Sequence, residues 1–335
     1  YKISPNFGLD VPMEQISKGN GGSCVLSAYS SSVINLSNHL TTSLGITAQY
    51  FTLNKNWTVE PRAALKWSFN PKHALALAYG LHSRREKLDY YFVEQEANGK
   101  TESNRYLDFS KAHHFGLTYE WNINSYMHLK VEPYYQYLFR IPVEENSSFS
   151  IINHQSFYLD RILKNRGSGV NYGIDITLEQ YMKNGFYYMI TAFLFKSKYK
   201  AGDNIWRNTR LDKNYLLNIL AGKEWMVGRN KQNVLSLNGR IFFQGGDRYT
   251  PVDEGKSMIE HDIKFDETRA YSKKFDPSIN GRINKKKISH EFSIKMLNVG
   301  MRTGMHFYQY NEKTHKIEKK DGSGLIPNIS YKIYF

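Results

Sequence analysis

From residue 24 to residue 335 the chain alternates apolar with polar residues in one stretch after another, and this period of two limits what it can fold into. In 126–138, Met127, Leu129, Val131, Pro133, Tyr135 and Tyr137 alternate with His128, Lys130, Glu132 and Gln136. In 170–182, Val170, Tyr172, Ile174, Ile176 and Leu178 alternate with Asn171, Asp175, Thr177 and Glu179, and 59–69 reads the same way. Successive side chains of a strand point to opposite faces, so each stretch builds a strand with one apolar and one polar face. Similar stretches at 24–36, 40–52, 73–83, 109–122, 185–199, 213–226, 232–246, 275–283, 288–298 and 326–335 bring the number of predicted strands to thirteen, with no amphipathic helix. Most run 10 to 15 residues. An ordinary strand has about 5–6, whereas a tilted strand needs about 9–11 to cross a bilayer.

The connections alternate in length. Short turns of Asn, Gly and Pro chemistry are predicted at Ser37–His39, Asn70–His73, Asn122–Ser125, Lys183–Gly185, Gly228–Lys231 and Asn284–Lys287. Between them lie long polar segments at 84–108, 140–166, 247–272 and 299–325, with shorter ones at 53–57 and 200–211. Aromatic residues flank the short turns: Trp67 and Phe69, Trp121 and Tyr126, Tyr181 and Phe186, and Trp225. Short turns on one rim, long loops on the other and an aromatic girdle are the marks of an antiparallel transmembrane β-barrel of the outer-membrane type. The aromatic content of 15% fits two differently solvated faces. A soluble sandwich has shorter strands, and its connections do not segregate by length.

The net charge of +14 raises nucleic acid as a partner. The Lys and Arg residues are spread along the chain, however, and the densest runs, Lys285–Lys287 and Lys316–Lys320, fall in predicted turns and loops. A solvated rim beside anionic lipid headgroups accounts for them without nucleic acid. Cys24 is the only cysteine, so there is no disulfide framework and no thiolate metal site.

Several segments resemble the carboxy-terminal part of a TonB-dependent receptor barrel of Bacteroidetes type. They are Glu60-Pro-Arg62, the run Asn165 to Glu179, Arg248 to Asp253, Phe275-Asp276 leading to Ile283–Lys287, Asn298-Val299, and the terminal Ile326 to Phe335. The resemblance implies that 24–335 supplies later strands of a 22-stranded barrel, that 1–23 ends an extracellular loop, and that the plug domain lies outside this sequence. Thirteen strands cannot close a barrel with both ends on one side, so the chain reads as a fragment or as half of a split barrel. The departures are Lys274-Phe275-Asp276 where the family often has Arg-Leu-Asp, and Pro277 and Gly281 within that strand.

The implied function is energy-coupled import of a scarce nutrient (siderophore, haem, cobalamin, glycan or peptide) across the outer membrane of a Gram-negative bacterium. A non-transporting barrel serving as scaffold or subunit of an envelope complex is the alternative. The implied partners are outer-membrane lipid and lipopolysaccharide, the TonB complex through the missing plug region, the barrel-assembly machinery and a surface lipoprotein. Ile329, Tyr331, Ile333 and Phe335 resemble the assembly signal of such barrels.

Among the loop residues, aromatics are better contact candidates than charges, because aromatics dominate recognition energetics. Tyr90, Tyr91, Phe92, Phe149, Phe157, Tyr158, Trp206 and Tyr249 are therefore the expected ligand or partner contacts. Glu60, Arg62, Lys66, Glu120, Lys130, Glu132, Asp175, Glu179, Arg240, Glu291 and Lys295 are expected to line the lumen, since a wide barrel needs a polar interior. No cofactor, metal or catalytic set is expected. His113 and His114 are strand neighbours and must face opposite sides, and His261-Asp262 with Asp266 and Glu267 match no calcium-loop spacing.

Overall fold

The computed structural model describes residues 2–3, 17–19, 21–97, 99–231, 233–287, 290–299, 306–311, 313–321 and 324–333. Thirteen strands follow one another in sequence order, each antiparallel to the next, in one continuous sheet. They are β1 (Val25–Asn35), β2 (Leu40–Phe51), β3 (Asn56–Asn70), β4 (His73–Arg84), β5 (Ser110–Asn124), β6 (Met127–Val143) and β7 (Lys164–Lys183). Then come β8 (Phe186–Lys200), β9 (Tyr215–Val227), β10 (Asn233–Gln244), β11 (Ser278–Lys287), β12 (His290–Leu297) and β13 (Ile326–Ile333). A short strand, Trp206–Asn208, pairs with the end of β8 as a fourteenth member.

Register turns the alternation into two faces. Lys130 pairs with Glu120 on one side and Thr177 on the other, and Thr177 continues to Thr191 and Asn218. One position along, Leu129 pairs with Trp121 and Leu178, and Leu178 with Ile190. All eleven predicted lumen residues fall on the first, polar face. There Lys66 pairs with Glu120 at 2.8 Å, Lys130 with Glu132 at 2.7 Å, and Arg240 Nε donates to Asn218 Oδ1 at 2.6 Å. Glu60, 2% exposed, accepts from Gln49 Nε2 at 2.7 Å and from Arg62 at 2.9 Å, and Ser83 also donates to it.

The opposite face is apolar and bare. Leu77 is 59% and Ile329 66% exposed, and Leu44, Ile46, Leu65, Phe115, Tyr135, Leu194, Ile241 and Phe292 are exposed too. Among the described residues no second layer covers this face. Soluble monomers seldom expose contiguous apolar patches above a few hundred Å², but a barrel wall in lipid presents such a band by necessity. Among the described residues no helix is long and apolar enough to cross a membrane; the spanning elements are strands.

Four of the six short turns lie where they are predicted, the one predicted at Asn122–Ser125 falls later, at 125–126, because β5 runs on to Asn124, and Trp67, Phe69, Tyr181, Phe186 and Trp225 stand exposed beside the turns. Lys183 is joined to Phe186 by Asn184 (φ 52°) and Gly185 (φ 74°), the two positive φ values of a tight hairpin turn. A Cβ on Gly185 would run into the Glu224 carbonyl oxygen. Gly185→Val is expected to lower the folded fraction of the refolded full-length barrel, measured as heat-modifiable migration on a gel.

The sixth turn is a correction. Asn284–Lys287 is not a turn but the end of β11, paired with Asn238–Leu235 of β10 and with His290–Ser293 of β12. Pairing on both flanks overrides the turn propensity of Asn284, whose Nδ2 donates to Asn238 Oδ1 at 2.9 Å. The strand predicted at 275–283 accordingly starts after Pro277 and runs further. β6 and β7 also extend past the predicted 138 and 170, up to Val143 and down to Lys164, with register shifts above Leu138. Phe335 and most of 1–23 lie outside the described residues.

Candidate functional site

The hydrophobic core of this protein sits in the loops at one rim. β4 leaves the sheet at Arg84 and β5 enters at Ser110; β6 leaves at Val143 and β7 enters at Lys164. The two long connections are short on regular structure: 3₁₀ turns at Leu88–Phe92, Asn104–Tyr106 and Ile151–Asn153, and a hairpin of Glu94–Ala97 with Lys100–Ser103. They pack on one another. Tyr90, Tyr91, Val93, Leu107 and Phe109 from one, with Ile151, Leu159 and Leu163 from the other, form a single buried cluster with Phe51 and Ile141 of the sheet. Asn104 joins the two loops, donating from Nδ2 to the Arg161 carbonyl at 2.8 Å and accepting at Oδ1 from Leu163 N–H at 2.7 Å.

Beside this cluster the loops enclose a recess of about 580 Å³ lined by Arg84, Arg85, Lys87, Tyr90, Ile152 and His154, with Glu86 among them. Glu86 is buried, faces Arg84 at 3.4 Å and accepts from Ser110 Oγ at 2.7 Å. Its charge offsets one cation, leaving a positive excess. The Lys87 ammonium lies 5.5 Å above the Tyr90 ring, and the Arg85 guanidinium 5.7 Å from Phe51. Cations fixed over aromatic faces, with few counter-charges, can hold an anionic ligand.

His154 is wedged edge-on against Tyr90 and Phe149, each 5.6 Å away, with its Nε2 at 3.1 Å from the Tyr158 carbonyl. Burial holds its pKa below the ordinary value of 6.5; the Tyr158 carbonyl opposes this, and Lys87 reinforces it. The sign follows. The unfolded loop takes up the proton first, so acidification through and below pH 6.5 weakens the folded loop and alkaline pH does not. Protection of amides in 149–163 against hydrogen exchange, taken relative to the intrinsic rate at each pH, is expected to fall between pH 7 and pH 5, and His154→Phe to remove that dependence.

A third set of loops joins the layer. Tyr199 O–H donates to the Ser148 carbonyl at 3.1 Å, the Ser148 hydroxyl to Glu267, and Arg210 N–H to Asn153 Oδ1 at 2.9 Å. Asp212, fully buried, accepts from Arg248 Nε at 2.9 Å and from Ser197 N–H at 3.1 Å. Within 245–277 a short helix, Glu254–Glu260, is capped by Asp253, which accepts from Lys256 N–H at 3.0 Å.

The expected aromatic contacts divide. Tyr91, 1% exposed, is a core residue rather than a contact surface; burial raises its phenol to about 12, and its oxygen accepts from Glu86 N–H, while Tyr90 packs in the same cluster and also borders the recess. Phe149 is half-buried, 4.7 Å under the Arg161 guanidinium, and Tyr249 stacks on Phe275 at 4.5 Å. Phe92 and Tyr158 are half-buried. Phe157, 83% exposed, and Trp206 do present surface. Ranking aromatics above charges passed over Arg84, Arg85, Lys87 and His154, although three cations within Arg84–Lys87, where a strand ends, were a visible signal. His113 and His114 face opposite ways: His114 lies against His82 at 4.5 Å, His113 against Phe139 at 5.0 Å. Among the described residues no cluster of three or more metal-ligating side chains occurs. Asp266 instead pairs with Arg269 at 2.6 Å.

No family model matches the sequence, and no curated protein matches it. Solved structures do match the fold. The outer membrane transporter YddB from Escherichia coli superimposes with a TM-score of 0.62 over 96% of this chain and 47% of its own, at 11% identity. The ferric-catecholate import receptor Fiu of Escherichia coli K12 gives 0.61 over 93% and 45%, at 8% identity. The ferric yersiniabactin uptake receptor FyuA from Yersinia pestis gives 0.56 over 93% and 46%, at 10% identity. The chain thus has the fold of an outer-membrane receptor β-barrel and spans about half the length of these proteins.

Proposed function

We propose that the chain forms later strands of a TonB-dependent receptor in the outer membrane of a Gram-negative bacterium, and that the whole receptor imports an anionic metal chelate. The observation that carries this reading is the sheet itself: one bare apolar face, one charged face, short turns at one rim and packed loops at the other. In this reading the eleven charged residues from Glu60 to Lys295 line the lumen, and the loop layer faces outward. The resemblance to the Bacteroidetes-type family supports coupling to TonB through a plug outside this sequence. The iron-chelate cargoes named for Fiu and FyuA agree with a cation-rich recess of about 580 Å³.

The experiment is uptake in the source organism with the full-length gene deleted and restored, supplied with anionic and neutral ferric chelates in turn. Loss of anionic-chelate uptake on deletion, regained only with an intact TonB system, supports the reading. Uptake that survives deletion sinks it.

A further inference from the structure

We propose that the apolar-face surface of β7 and β8, just below the long-loop rim, binds a lipid A-type glycolipid through its phosphates and an acyl chain. This rests on the membrane-barrel reading above. Along β8 the residues of that face run Ile190, Ala192, Leu194 and then Lys196, Lys198, Lys200, so the surface changes from apolar to cationic within one strand. Register sets Ile174 beside Leu194, Tyr172 beside Lys196 and Val170 beside Lys198. Tyr172, Ile174, Leu194 and Lys196 border a groove of about 500 Å³ whose floor is the backbone at Gly173 and Phe195. Leu194 and Tyr172 are exposed along it. Apolar walls with an ammonium at the upper end match an acyl chain below a phosphate.

Among the described residues none of the three lysines is held in an ion pair. The neighbouring carboxylates are already engaged: Asp203 with Arg207 at 2.6 Å, Asp212 with Arg248 at 2.9 Å, and Asp247 with Lys213 at 3.1 Å. Lys200 lies 5.9 Å over the Trp206 ring, a residue type that settles at headgroup depth. Lys274, whose ammonium donates to the Lys213 carbonyl at 3.0 Å, adds another cation nearby. Burial lowers its pKa first, then Arg248; Asp212 opposes this and Lys196 adds to it. Alternate residues on a strand are roughly 6.6 Å apart, so Lys196 to Lys200 climb about 13 Å. A headgroup carrying two phosphates on a disaccharide can engage such a ladder along its length; a single-phosphate lipid reaches only one rung.

The test uses the full-length receptor in nanodiscs, with native mass spectrometry of retained lipid and competition between lipid A, dephosphorylated lipid A and phosphatidylglycerol. Lipid A is expected to be retained in preference to both others. Lys196→Gln with Lys198→Gln should weaken retention about thirty-fold, from roughly fivefold per lysine, while Lys→Arg at both positions should keep it. Equal retention by the Gln variant, or equal competition by phosphatidylglycerol or the dephosphorylated lipid, overturns the proposal. Heat-modifiable migration checks that each variant is folded. If the barrel reading itself fails, the protein does not enter nanodiscs at all, whereas failure of the lipid site alone leaves insertion intact.

Discussion

Arg84→Gln combined with Lys87→Gln, in the full-length receptor, is expected to weaken binding of an anionic ferric chelate by about a hundredfold. Two unit charges at about 4 Å interact by roughly 4 kcal/mol at an effective dielectric of 20 and 1 kcal/mol in water. A rim recess lies toward the wet end of that range, so about 1.4 kcal/mol, or tenfold, per cation is a fair expectation. Both side chains line the recess, and Arg84 is well exposed despite facing Glu86. Titration calorimetry at two salt concentrations reads the effect, because loss of two cations should also flatten the salt dependence. Phe157→Ala, at an exposed aromatic outside the recess lining, should leave affinity within about twofold. Unchanged affinity in the charge variant, or a large loss in the Phe157 variant, would remove the recess from consideration as the binding site.

That prediction names residues the sequence reading had set aside, and the reason is physical. Strand existence was legible because each strand carries its own period-two signal over ten or more residues, and a buried apolar core is not needed to decode it. Lys130 against Glu120 and Leu129 against Trp121 are what alternation requires once strands pair in order. Local turn chemistry was legible where nothing competes, as at Asn184-Gly185, and misled at Asn284–Lys287, where neighbours on both sides hold the backbone extended. Loop packing left no such trace. Tyr90 and Tyr91 read as recognition aromatics because loops are normally surface. Here two loops bury them against Leu159 and Leu163, more than sixty residues further along the chain. A pairing so distant, with no shared periodicity, cannot be read from one sequence. With Tyr91 committed to the core, the recess is bordered by Arg84, Arg85 and Lys87 beside Tyr90 and His154.

Tyr91→Ala tests whether that core is a single unit. Truncating a buried aromatic removes about 3–5 kcal/mol where the cavity cannot collapse. Tyr91 meets Phe51 edge-on at 5.2 Å and accepts the Glu86 amide, so the loss includes a contact to the sheet and a partner for a buried N–H. The cost falls on the loop layer. The strands beneath are held by their own ladders and, in a membrane, by lipid on the apolar face. The expected result is therefore split: brief protease treatment of intact cells cuts the variant within both 85–109 and 144–163, while the barrel keeps its heat-resistant gel mobility. Cleavage in both loops is the decisive part, since Asn104 and the shared cluster tie 144–163 to a residue it does not contain. Cleavage confined to 85–109 would mean that the loops fold independently. The recess would then have no common frame to hold Lys87 and His154 together around Tyr90.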